Sequence, residues 1–168
     1  SQGNRRQAID TYKEVISSYP TSEEARVASD DLKRIYADDG NLDDYAKFIA
    51  SVPNAPKLEA AEMDELTFRA AEKAYLNDNA ATSKLRDYVS RYPGGQYEPQ
   101  ALSYLATAAV NAGNEADALQ YATMITERCP DSEAAEDALA IKGEAEYAAG
   151  NGEQALATFR KLESRASA

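Results

Sequence analysis

Cys129 is the only thiol in this 168-residue chain, and the chain contains no histidine. A nucleophilic thiolate needs a base beside it, and a zinc site needs several nitrogen, sulfur or carboxylate ligands, so Cys129 lacks the company that either chemistry requires. Tyr19 and Tyr92 stand directly before a proline, as Cys129 does. That makes Cys129 a packing residue at a helix end. The acidic run Asp38-Asp39-Gly40-Asn41-Leu42-Asp43-Asp44 offers oxygen ligands of the kind calcium takes. An EF-hand loop needs spaced oxygens, a glycine at its sixth place and a distal glutamate. This run has its glycine elsewhere and spans a helix end and a helix start, where Asp43 and Asp44 suit the helix dipole. The carboxylate pairs Glu62 with Glu65 and Asp137 with Glu144 could in principle do acid–base work. With 29 Asp and Glu in the chain, a solvated acidic face is the simpler reading. There is no phosphate-cradling loop and no basic–aromatic patch. The expectation is a protein that is not an enzyme, with no catalytic residue, no cofactor and no metal.

Composition sets the frame for whatever positions these groups. The chain is 43% hydrophobic, enough for a core, and Tyr supplies 11 of its aromatics beside three Phe and no Trp. A net charge of −11 argues against binding nucleic acid or an anionic membrane surface. No apolar run approaches the length needed to cross a bilayer. One cysteine excludes an internal disulfide. The chain opens Ser-Gln-Gly, with neither initiator methionine nor signal-type segment, and is expected to be a piece of a longer protein.

The elements themselves come from repetition. Residues 17–28, SSYPTSEEARVA, return as ERCPDSEAAEDA at 127–138, with Pro, Ser, Glu and two Ala in the same places. Gly-Asn pairs stand at 3–4, 40–41, 113–114 and 150–151, with Asp78-Asn79 in the vacant slot. The successive Asn residues are 37, 38, 35 and 37 apart, and Pro falls in the same rhythm at 20, 53, 93 and 130. A glycine just past a helix end followed by an Asn that caps the next helix makes a tight turn. Gln7, Asp44, Asp117 and Gln154, three residues after each Asn, complete candidate capping boxes, as Glu24 does for Thr21. Between these joints apolar residues recur at helical spacing, as in Ala118, Leu119, Ala122 and Ile125. The pattern predicts about nine helices, near 5–18, 22–38, 42–51, 57–77, 80–91, 96–112, 115–128, 132–149 and 152–164, paired as antiparallel hairpins in an all-α chain. The expected organisation is one array over 1–168, with units near 4–40, 41–78, 79–113, 114–150 and 151–168.

The sequence resembles the tetratricopeptide repeat family. Leu102, Leu105, Ala106, Ala109, Gly113, Ala118, Ala122, Ile125 and Pro130 follow the family pattern of small and apolar residues, turn glycine and closing proline. Leu139, Gly143, Gly150, Ala155, Phe159 and Leu162 follow it again, and Gly3, Ala8, Tyr12, Val15 and Pro20 fit a second helix. The match is degraded between 41 and 92, where Leu85, Tyr88 and Val89 replace the Ala–aromatic pair, and Lys142 and Glu146 stand where the family has apolar residues. YPTSEEARVA also resembles bacterial envelope repeat proteins, which favours a periplasmic or envelope location over the cytoplasm.

The resemblance implies a right-handed superhelical stack of hairpins that binds a partner protein or peptide in a groove lined by the first helix of each hairpin. A variant of the family grips a C-terminal carboxylate with Lys and Asn. The comparable places here carry Asp30, Arg34, Glu72, Ser103, Thr107 and Glu144, so that clamp is absent. The groove residues expected here are Phe68, Glu72, Tyr75, Thr107, Asn111, Glu144 and Tyr147, with Tyr75 and Tyr147 as anchors. The acidic balance points to a neutral or basic partner. Alternatives are a glycan- or small-molecule-binding lipoprotein module, for which Phe68, Tyr75 and Tyr147 are the available platforms, and a structural spacer that binds nothing.

Overall fold

The computed structural model describes residues 1–167, which contain nine α-helices and no strand. They run α1 Gln2–Ser18, α2 Glu23–Asp38, α3 Leu42–Ser51, α4 Ala60–Asn77, α5 Ser83–Arg91, α6 Glu98–Asn111, α7 Glu115–Arg128, α8 Ala134–Ala148 and α9 Gly152–Ala166. None of these helices is long and apolar enough to cross a membrane. Packing divides them into two compact units, Ser1–Ala70 and Ala71–Ala168, with the division inside α4.

The Gly-Asn joints form as the residues dictate, at three of their four places. Gly40, Gly113 and Gly150 have φ of 77°, 74° and 84°, a region that costs a residue with a Cβ. At each, the glycine N–H bonds the carbonyl three residues back, and the Asn N–H bonds the carbonyl five back: Asn41 to Tyr36, Asn114 to Ala109 and Asn151 to Glu146, all at 2.8–2.9 Å. This double closure satisfies carbonyls that the helix end leaves open. It also consumes the backbone N–H of each Asn, so the side chain three residues on has nothing to bond in return. The expected capping boxes are therefore replaced. Asn114 caps α7 with its own side chain, accepting from the N–H of Asp117 at 3.1 Å, while its amide donates to the Asp117 carboxylate at 2.8 Å. Asn41 and Asn151 make no side-chain cap bond. Gly3-Asn4 is not a turn: Ser1 caps α1, accepting from the N–H of Asn4 at 3.3 Å, which leaves both residues inside the helix.

Three of the four proline joints share one conformation, while Val52 before Pro53 is extended, with φ −97° and ψ 112°. Tyr19, Tyr92 and Cys129, each preceding proline, leave the helix with φ near −135°, −124° and −131° and ψ of 60°, 60° and 48°. The carbonyl of each then accepts the N–H three residues on, from Ser22, Gly95 and Ser132. The α2 cap is Ser22, not Thr21: its oxygen accepts from the N–H of Ala25 at 3.0 Å and donates to the Tyr19 carbonyl at 2.7 Å. Ser132 makes the same donation to Cys129 at 2.8 Å.

In the first unit, Ile16, Ala25, Ala28, Leu32, Leu42, Tyr45 and Ile49 form the centre of the core. Lys57 folds back so that its ammonium bonds the carbonyls of Ile49 and Val52 at 3.1 Å each, closing the end of α3. Helix α4 begins at Ala60 and not at 57. Lys33 bonds Glu62 at 2.8 Å and Asp30 at 3.0 Å. Burial pulls its ammonium pKa down, but those hydrogen bonds more than offset it and hold it above the ordinary lysine value.

In the second unit, α5 packs on α6, α6 on α7, α7 on α8 and α8 on α9, and α6 also touches α8. Small residues line these contacts, with Ala101, Ala106, Ala118, Ala122, Ala135, Ala138 and Ala155 all buried. Leu85, Tyr88 and Val89 are buried in α5, filling the places where the repeat pattern weakens. The side chain of Asp78 accepts the N–H of Ala80 at 3.0 Å, holding that stretch in a turn, so α5 starts at Ser83 and not at 80. Gly143 receives the Phe159 ring so closely that a Cβ there would stand 2.7 Å from it. Glu146, at a place the family keeps apolar, is buried and accepts a 2.5 Å bond from the hydroxyl of buried Thr158 on α9.

Candidate functional site

Helix α6 turns Ala101, Leu102, Leu105, Ala106 and Ala109 into the second unit. That leaves Gln100, Ser103 and Tyr104 on another face, beyond Gln96 in the preceding loop. Helix α8 buries Ala135, Ala138 and Gly143, which leaves Glu133, Ala134 and Asp137 at its start to look away from the core. These two sets face one another across an open cleft of about 670 Å³, walled also by Pro99 and Ser132. Tyr104 is the aromatic of this wall and is fixed from behind. Its hydroxyl donates to Glu72 at 2.7 Å, and its ring packs on Tyr75 with centroids 4.9 Å apart.

None of the seven groove residues expected from the sequence lines this cleft. Phe68 is fully buried and Tyr75 is 6% exposed, so neither offers a surface contact; both are buried side chains of α4 itself. Glu72 is half-buried and accepts a hydrogen bond from the Tyr104 hydroxyl. Thr107, Asn111, Glu144 and Tyr147 are exposed, on the later turns of α6 and α8, and Asn111 borders a second cleft of about 380 Å³ with Arg86, Asp117 and Tyr121. Tyr147 is 71% exposed. The sequence did hold a signal for the lining of this cleft. Gln96 and Glu133, and Gln100 and Asp137, are each 37 residues apart, polar positions repeating at the period of the joints. A search for aromatic anchors passes over them.

The residues with candidate chemistry are placed apart. Asp39 of the acidic run bonds Arg5 at 2.5 Å, and the run straddles the α2–α3 joint. No group of three metal-ligating side chains comes together among the described residues. Glu62 is tied to Lys33, while Glu65, Asp137 and Glu144 are exposed. Cys129 lies against the buried Glu98 carboxylate, its sulfur 3.7 Å from Oε1. Burial first, and Glu98 second, push the thiol pKa above its ordinary value, the opposite of what a nucleophilic cysteine needs.

Against known families, the tetratricopeptide repeat family model matches residues 1–22, which hold α1 and the first proline joint. That stretch is similar to a tetratricopeptide repeat. The nine helices, with no strand among the described residues, are consistent with a tetratricopeptide-like helical repeat. No curated protein matches the chain. Tetratricopeptide repeats in general mediate protein–protein interaction, and folds of this type are typically non-catalytic.

Proposed function

We propose that this chain is a non-catalytic interaction module that binds a segment of a partner protein in the cleft between α6 and α8. The observation that carries the reading is the cleft itself: about 670 Å³ of open space between two helices that the hairpin pairing leaves facing one another. Its walls carry both polar and apolar groups, with Tyr104 held rigid by Glu72 and Tyr75. A pre-positioned aromatic beside amide and hydroxyl groups suits a peptide, which offers side chains and main-chain bonds together. Tyr147 remains a candidate contact at the far end of α8, with Thr107, Asn111 and Glu144 near it in register.

The test is to fill the cleft. Ser103→Trp and Ala134→Trp replace residues that line it with indoles large enough to occupy it. Each variant is checked for unchanged helicity by circular dichroism and compared with wild type in a pull-down. Loss of a partner that wild type retains supports the cleft. An unchanged partner set places binding on another face.

A further inference from the structure

The charged residues lining the α6–α8 cleft are Glu133 and Asp137, both acidic, and no cation lines it. They lie four apart on α8, where two like charges are neighbours and repel. Both side chains are exposed, and no hydrogen bond or ion pair is formed by either among the described residues. The first turns of a helix do favour carboxylates through the dipole, yet Glu133 makes no cap bond with α8. The neighbouring Glu136 is different: it turns to the other side of α8 and lies 3.7 Å from Arg165. The acidic side chains at the start of α8 are thus divided, Glu136 to a fold partner and Glu133 and Asp137 to the cleft. Facing them, Gln96, Gln100 and Ser103 are uncharged groups that both donate and accept hydrogen bonds.

We infer that the cleft is built for an extended segment bearing a lysine or arginine, whose cationic head lies between Glu133 and Asp137 while its main chain is read by Gln96, Gln100 and Ser103. The inference rests on the cleft being the docking site. It narrows the partner from any protein segment to a basic one by charge complementarity, since a cation here would relieve the repulsion of two carboxylates and meet no competing positive charge. The chain's net charge of −11 adds a general attraction for such a segment as it approaches.

The experiment uses random twelve-residue peptides displayed on phage, selected on the full chain. Binding of the selected peptides is then measured for wild type, for the Glu133→Gln/Asp137→Asn double variant and for Ser103→Trp. The two neutral substitutions are isosteric and exposed, so circular dichroism should show the fold intact. Selected peptides should carry Lys or Arg at one recurring position. Replacing that residue by norleucine should weaken binding several-fold, and the norleucine peptide should no longer distinguish wild type from the double variant. Peptides that lose binding to Ser103→Trp but show no basic position, or bind the double variant equally well, would overturn the inference and leave the cleft standing. Peptides indifferent to Ser103→Trp, or no selected peptides, would overturn both.

Discussion

Glu98 is 3% exposed and carries three contacts: the N–H of Gly94 at 3.2 Å, the guanidinium of Arg128 at 3.4 Å and the Cys129 sulfur at 3.7 Å. A buried carboxylate is tolerated only when paired and bonded, and this one is. Its neighbour Cys129 thereby becomes less able to ionise. A thiol whose folded pKa is raised adds stability below its ordinary value, and that contribution is lost as pH rises through the raised value. Alkylation of Cys129 by iodoacetamide should therefore lag behind a free thiol at mildly alkaline pH. Glu98→Gln should move the rate–pH profile to lower pH without bringing it to that of a free thiol, because burial remains. A profile that does not move would show that the carboxylate has no part in the shift.

At the scale of the element, two helices that look alike in sequence differ in how they are held. Asn114 and Asn151 occupy the same joint, but only Asn114 bonds the next helix through its side chain. Asn114→Ala should thus cost about 1 kcal/mol, and Asn151→Ala only a few tenths, read as shifts in the urea midpoint. Equal shifts would mean that the caps are alike in solution. Helix α1 buries Ile16 alone, whereas α7 in the matching role buries Ala118, Ala122 and Ile125. Amide hydrogens in α1 should exchange faster than those in α7 in the isolated monomer; equal protection would contradict this. The positions of the helices were legible because Gly, Asn and Pro mark their ends by backbone geometry, which is local. The cap partners were not, because one Asn N–H cannot serve two helices, and that competition shows only in three dimensions. The cleft was half legible. Its polar lining repeats with the joints, but whether α4 presents or buries Phe68 and Tyr75 depends on neighbours that spacing does not name.

At the scale of the whole molecule, 29 acidic residues against 18 basic ones leave the folded chain repelling itself. Ions screen such repulsion over about 10 Å at 0.1 M salt. The melting temperature should accordingly rise when sodium chloride is added to a low-salt buffer. A falling melting temperature would mean that ion pairs such as Lys33 with Glu62 and Asp30 outweigh the net charge.

Because each Gly-Asn joint ends one helix and starts the next with the same two residues, it behaves as a scar-free splice point. Excising residues 114–150 would bring Gly113 directly onto Asn151 and restore the pair without an inserted residue. Helix α6 would then be followed by α9, and at an offset of 37 most facing residues are already matched, Ala118 by Ala155 and Ile125 by Leu162. The exception is Phe159, which fits against Gly143 only because no Cβ is there; after excision it would meet Ala106. The shortened chain should retain its helicity per residue with a lowered melting temperature, and Phe159→Ala, which restores the small residue of Ala122, should recover part of the loss. Loss of helicity in both would show that the joint is not interchangeable. Such a chain grows and shrinks by whole hairpins, and its contact residues can change in number without any redesign of the turns that carry them.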